Sequence, residues 1–254
     1  DHGGRSDPRE EAELLELLAW EFYLIDKLPD AITACQRAMH IRQQLGEWTA
    51  VSANHHSLSV YHWYSANREL AHGHAAKASE VLDADTDDPD QLVQLGHAFA
   101  MQAYLAGLVS NLDLSMTLIA RAHDIANRTG DSDLMVRVRL IENYGVMLMG
   151  DESGRETILS ILQAGPKHVD ELYSAGWSNI TYLDVEQRRL DSAAELLDIS
   201  IPLMMEHDLP ICRVWQTGSR ARMQLMVGEW DEATADADRV LDEPSAPMAR
   251  TWPS

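Results

Sequence analysis

The chain has 254 residues, 45% of them hydrophobic, which is enough to bury a substantial core. Its 20 Lys and Arg stand against 41 Asp and Glu, a net charge of −21, so the surface repels phosphate backbones and no direct nucleic-acid contact is expected. No apolar run approaches the roughly 20 residues that a membrane span needs, and from the polar start no signal peptide is expected.

Two distant cysteines, Cys35 and Cys212, define neither a disulfide framework nor a metal spacing, which fits a cytoplasmic protein. The start lacks an initiator Met, so we expect a fragment: a linker over residues 1–7 and one helical-repeat domain over 8–254.

Asp7-Pro8-Arg9-Glu10 reads as an N-cap, a proline at the first helical position and a supporting acid, opening a helix that runs to about Ile25 through Leu14, Leu17, Leu18, Ala19 and Phe22. A turn through Pro29 starts a second helix that stops at Gly46. Helices follow over about 49–64 and 68–82. An acidic loop at 83–88 leads to Pro89 and a helix to about Val109, and the next one ends at Gly130. Further helices cover 135–149, a short stretch to Gly165-Pro166, 169–185, 191–206 with a kink expected at Pro202, and 210–227. Gly228 opens the last full helix, and Met248 to Trp252 reads as the first turn of another.

The second helix of each pair carries small or apolar residues four and then three positions apart. These triplets are Ala31/Cys35/Ala38, Ala71/Ala75/Ala78, Ser115/Ile119/Ala122, Ala193/Leu197/Ser200 and Ala233/Ala237/Val240. Their first members stand 40, 44, 78 and 40 residues apart, so one unit of blurred phase is expected near Arg155 to Thr157. Four plus three returns to one helical face, and small side chains there let two helices approach closely. A fixed period of about forty residues marks stacked helical hairpins, so the expected fold is an all-α right-handed solenoid of six hairpins whose first (A) helices line the inner face. Its last unit lacks a clear polar outer face, so the open end is expected to fray or to pair weakly with a second copy.

Gly228-Glu229-Trp230-Asp231-Glu232-Ala233 resembles the helix junction of tetratricopeptide repeats. Leu58 to Tyr64, Glu142-Asn143-Tyr144-Gly145 with Gly150-Asp151-Glu152, and the block from His207 to Ala233 are similar to the repeat region of large bacterial LuxR-type ATPase regulators of the MalT-like kind. That resemblance implies a parent with a nucleotide-binding domain before these repeats and a DNA-binding helix-turn-helix after them. Arg188 and Ala66 stand where the repeat pattern has a turn glycine.

No phosphate loop, dinucleotide glycine pattern, nucleophile elbow or zinc-protease helix occurs, so no enzyme and no cofactor are expected. His55, His56, His62, His72 and His74 crowd one unit without a cysteine to complete a zinc set. Asp83-x-Asp85-x-Asp87 starts like a calcium loop but lacks the glycine and the closing glutamate, so Asp88 is expected to cap a helix instead.

Aromatic and polar side chains concentrated in the A helices are the candidate contacts: Asn54, Tyr61, Tyr64, Tyr104, Arg137, Asn143, Trp177, Asn179, Tyr182, Gln216 and Arg220. The expected role is a ligand- or protein-binding sensor module of a transcriptional regulator. Its partner would be a protein or peptide, a small-molecule inducer, or the ATPase and DNA-binding domains of the same chain. A free-standing adaptor that scaffolds other proteins is the alternative.

Overall fold

The computed structural model describes residues 7–165 and 171–242. Among these residues there are twelve α-helices and no strand, and the chain is an all-α solenoid of helical hairpins. In order the helices are α1 (Pro8–Leu24), α2 (Leu28–Leu45), α3 (Trp48–Tyr64), α4 (Arg68–Glu80), α5 (Pro89–Leu108), α6 (Leu112–Thr129), α7 (Ser132–Leu148), α8 (Ser153–Ala164), α9 (Glu171–Glu186), α10 (Leu190–Glu206), α11 (Pro210–Val227) and α12 (Trp230–Asp242). The chain divides into two compact units, residues 1–138 and 139–254. The helix turn expected at 248–252 lies outside the described residues.

Six backbone positions set the hairpins. Asp26, Ala66, Ser110, Gly150, Arg188 and Gly228 all have left-handed φ, from +57° to +88°, and each closes the turn between an A and a B helix. They are 40, 44, 40, 38 and 40 residues apart. A left-handed residue there reverses the chain in a few steps, and only glycine adopts it without cost. Gly46 and Gly130 take the same conformation as C-caps of α2 and α6.

The B-helix triplets are the crossing points. Ala31, Ala71, Ala78, Ala122 and Ala193 are wholly buried. The unit expected near Arg155 to Thr157 has its triplet one residue earlier, at Gly154, Ile158 and Ile161, all buried. A Cβ on Gly154 would lie 2.5 Å from the backbone oxygen of Asn143, so α7 and α8 cross more closely than an alanine allows. A glycine in place of a small side chain blurred the pattern.

Around these crossings each unit has its own core. In the first, Ala71 and Ala75 pack with Met101 and Leu105. Hydroxyls tie the helices of a hairpin at one shared register. Ser59 of α3 donates to the Ala71 carbonyl of α4, while Ser115 of α6 donates to the Ala103 carbonyl of α5, both at 2.8 Å. In the second unit Val185, Ala193, Leu197, Ile201 and Met223 form the core. There the Asp184 carboxylate, fully buried, is gripped by Arg155 Nε and Nη2 at 3.0–3.1 Å and by Ser192 Oγ at 2.7 Å, which joins α8, α9 and α10.

The face of α1 differs from the expected one. Ala12, Leu15, Ala19 and Tyr23 are its buried residues, whereas Leu14, Leu17 and Leu18 are 66%, 63% and 44% exposed. Apolar residues occupy both sides of this helix, so periodicity alone does not choose between them.

Candidate functional site

In the first unit the A helices α3 and α5 lie side by side, and their N-terminal halves enclose an open groove of about 580 Å³. Its floor is Ala50 and Ala53 of α3, one wall is Gln91 and Gln94 of α5, and Trp48 stands half exposed at the rim. Local chemistry puts these residues there. Asp88 caps α5 by accepting from the Asp90 and Gln91 N–H groups at 2.9 and 3.2 Å, as expected for the end of the acidic loop. One turn later Gln91 and Gln94, three residues apart, share a face. Gly46 turns α2 into α3 and leaves Trp48 at the mouth.

The end of the groove at Arg42 and Glu47 is electrostatically fixed. Arg42, 8% exposed at its side chain, meets Glu16 at 2.7 Å and Glu47 at 2.6 Å. The Arg42 guanidinium, with Arg9 beside it, holds the Glu47 carboxyl below its ordinary range. Asn54 completes this network by donating to Glu16 Oε1 at 2.8 Å.

Further along the same helices the groove gives way to imidazoles and aromatics. The His56 and His97 rings meet edge-on at 6.2 Å. Burial, with Arg137 and then His97 nearby, pushes His56 well below the usual histidine range. Burial and Arg137 bring His97 down to about 4, against the opposing pull of Asp131. Trp63 and Tyr104 pack edge to face at 6.4 Å. On the other side of α3, His55 Nδ1 and His74 Nδ1 are 2.8 Å apart, and His62 stacks on His74 at 5.4 Å. Burial, His55, His62 and Lys77 bring His74 to about 4. Among the described residues no group of three or more His, Cys, Asp or Glu is placed to hold a metal ion.

The eleven candidate contacts separate into four buried residues, Arg220, and six others that are half-buried. Asn54, Tyr61, Trp177 and Gln216 are buried, at 3%, 2%, 5% and 0% exposure. Asn54 binds Glu16, Tyr61 packs on Tyr23 at 5.2 Å, and Gln216 donates to Ser178 Oγ at 3.2 Å. Their polar and aromatic groups serve helix packing, so a partner at the surface does not reach them. Arg220 turns to α12, where its Nε meets the buried Asp236 at 2.6 Å.

Tyr64, Tyr104, Arg137, Asn143, Asn179 and Tyr182 are half-buried. Tyr64 lies edge-on to Tyr23 at 5.6 Å, Tyr182 edge-on to Trp215 at 6.3 Å, and Asn143 donates to the Arg139 carbonyl at 2.8 Å. Sequence reasoning missed Trp48, Gln91 and Gln94. The signal was present as an exposed tryptophan after a C-cap glycine and two glutamines one turn apart just after a proline-started helix.

No family model and no curated protein is similar to the chain. Among solved structures it is similar to a Rap protein complexed with Competence and Sporulation Factor, with a TM-score of 0.69 and 12% identity over 91% of this chain. It is also similar to the apo form of RapI, with a TM-score of 0.57 and 10% identity over 91% of this chain and 83% of that one. The chain spans 64% of the length of the first of these. At identities this low the likeness shows the fold alone, a helical-repeat solenoid of the tetratricopeptide-like kind.

Proposed function

We propose that the chain is a non-catalytic interaction module that binds an extended peptide or protein segment in the groove between α3 and α5. The groove itself carries this reading: an alanine floor, two uncharged amides and an exposed indole at the rim. Each glutamine amide offers both a donor and an acceptor, the complement of a peptide N–H and C=O, and the indole gives an apolar anchor at little entropic cost. The solved structure of a similarly folded Rap protein in complex with a factor supports the same use of the fold.

The parent is read as a cytoplasmic LuxR-type ATPase regulator, with residues 8–254 as one repeat domain. The resemblance of Leu58 to Tyr64 and of the block from His207 to Ala233 to the repeat region of those regulators supports this reading, while Gly228 at φ +88° supports only the repeat's helix junction. Binding would bias the regulator only through a difference in affinity between its two states.

The test is a displayed random-peptide selection on the full chain, with binders ranked by calorimetry. Ala53→Trp, which fills the groove, should weaken the selected peptides by about tenfold or more, and Gln94→Ala by several-fold. Binders indifferent to both substitutions would show that the groove is not the site.

A further inference from the structure

The free face of α1 is one that the other A helices bury. Counted back from the left-handed turn residues Asp26, Ala66, Ser110 and Gly228, Leu14 of α1 stands in the register of Asn54 in α3, Ala98 in α5 and Gln216 in α11. In the same count Glu21 stands in the register of Tyr61, Leu105 and Met223. All six of those residues are buried, and in each case the preceding hairpin lies against the helix. Asn54 donates to Glu16 of α1, Leu105 packs on Ala71 and Ala75 of α4, Gln216 donates to Ser178 of α9, and Met223 packs with Ala193 and Leu197 of α10. In α1 this face is open. Leu14, Leu17 and Leu18 lie on it three and four residues apart and are exposed, and Glu10, Glu13 and Glu21 flank them, exposed as well. Arg9, the one base of the helix, is held by Glu47.

We propose that this face docks a helix of another protein, one that is amphipathic and carries Lys and Arg beside its apolar stripe. A row of leucines at helical spacing is the complement of such a stripe. From Glu10 to Glu21 the row is about 17 Å long at 1.5 Å per residue, which matches about three turns of a partner helix. Glu21 decides the kind of occupant. A permanently stacked hairpin would bury its carboxylate where the other helices bury Tyr61, Leu105 or Met223, and that is costly without a cation to pair it. A basic partner supplies the cation, and until it binds the carboxylate stays in water. A second copy would set acids against acids in a chain of net charge −21, and an anionic lipid surface is repelled in the same way. No residue of α1 lines the groove between α3 and α5, so this surface is separate from the peptide groove and does not depend on it.

The experiment is isothermal titration of the full chain, at about 0.15 M salt so that long-range attraction is screened, with three synthetic peptides of equal length. One is a helix of leucine and lysine in heptad order, one has the same residues shuffled so that no face is apolar, and one has glutamate in place of lysine. The ordered lysine peptide should bind one site with a Kd of about 10 µM or tighter, and the other two should be weaker by about tenfold or more. Leu17→Gln with Leu18→Gln should weaken it about tenfold, and Glu21→Gln several-fold. These side chains are exposed, so melting followed by circular dichroism should match the wild type, and Leu17→Gln alone gives the same reading at smaller amplitude. Leu225→Gln with Leu241→Gln, equally exposed on α11 and α12, should leave binding unchanged, as should Ala53→Trp in the groove.

Four results would overturn the proposal. They are equal affinity for the ordered and shuffled lysine peptides, wild-type affinity in both the leucine and the Glu21 variants, loss of binding in Ala53→Trp, and a dimer of the free chain in light scattering that Leu17→Gln with Leu18→Gln dissociates. The first would leave charge attraction alone, the third would put the peptide in the groove, and the last would give the face to a second copy.

Discussion

Removing Arg155 should unfold the second unit far more readily than its position near the surface suggests. The Asp184 side chain is fully buried while Arg155 is 20% exposed, so the carboxylate, not the guanidinium, bears the loss. In Arg155→Met that carboxylate keeps Ser192 Oγ at 2.7 Å, and Arg189 Nε stands 3.9 Å away, beyond hydrogen-bond length. Breaking a buried pair from one side costs about 3–5 kcal/mol. The remaining hydroxyl and the nearby Arg189 charge place this case at the low end, about 3 kcal/mol.

Urea unfolding followed by circular dichroism would read that loss as a fall in midpoint of about 1–1.5 M at a slope of 2–3 kcal/mol/M. Replacing both partners, Arg155→Met with Asp184→Leu, should recover most of it, because no charge is then left buried. A single substitution costing under about 1 kcal/mol, or a double variant as unstable as the single one, would refute the account.

Acid should weaken the first unit through its buried imidazoles. His97, lowered to about 4 in the fold, takes up a proton in the unfolded chain near pH 6.5. Its contribution is complete above 6.5, falls between 6.5 and 4, and amounts to about 2 kcal/mol lost by pH 5. His97→Gln should make the fall of the urea midpoint with pH shallower over that window, with the lowered His56 and His74 keeping the rest of it. At the A–B turns, Ala66→Gly and Arg188→Gly should each raise stability by about 0.5–1 kcal/mol by relieving left-handed strain, measured as a higher melting temperature. Gly154→Ala should cost about 2 kcal/mol, because its Cβ meets backbone, whereas Gly73→Ala, in open space within α4, should stabilise by about 0.5–1 kcal/mol. Equal effects of the two alanines would contradict the crossing geometry.

The repeat, its period and its turns were legible in the residues because each is a local constraint. A small side chain every four and three positions, a left-handed turn and a proline or Asx cap act within one or two helical turns. Even the exceptions could be read, and Arg188 and Ala66 do occupy the turn positions where the pattern has glycine.

What the sequence left open depended on which face of a helix meets which neighbour. Asn54, Tyr61, Trp177 and Gln216 look like surface contacts by residue type, yet the neighbouring helices bury them. Arg220 looks like a receptor for an external anion until Asp236, sixteen residues later, takes its fork. The groove of Trp48, Gln91 and Gln94 joins residues more than forty positions apart. Such a site exists only once α3 and α5 lie together, because no single helix carries both walls.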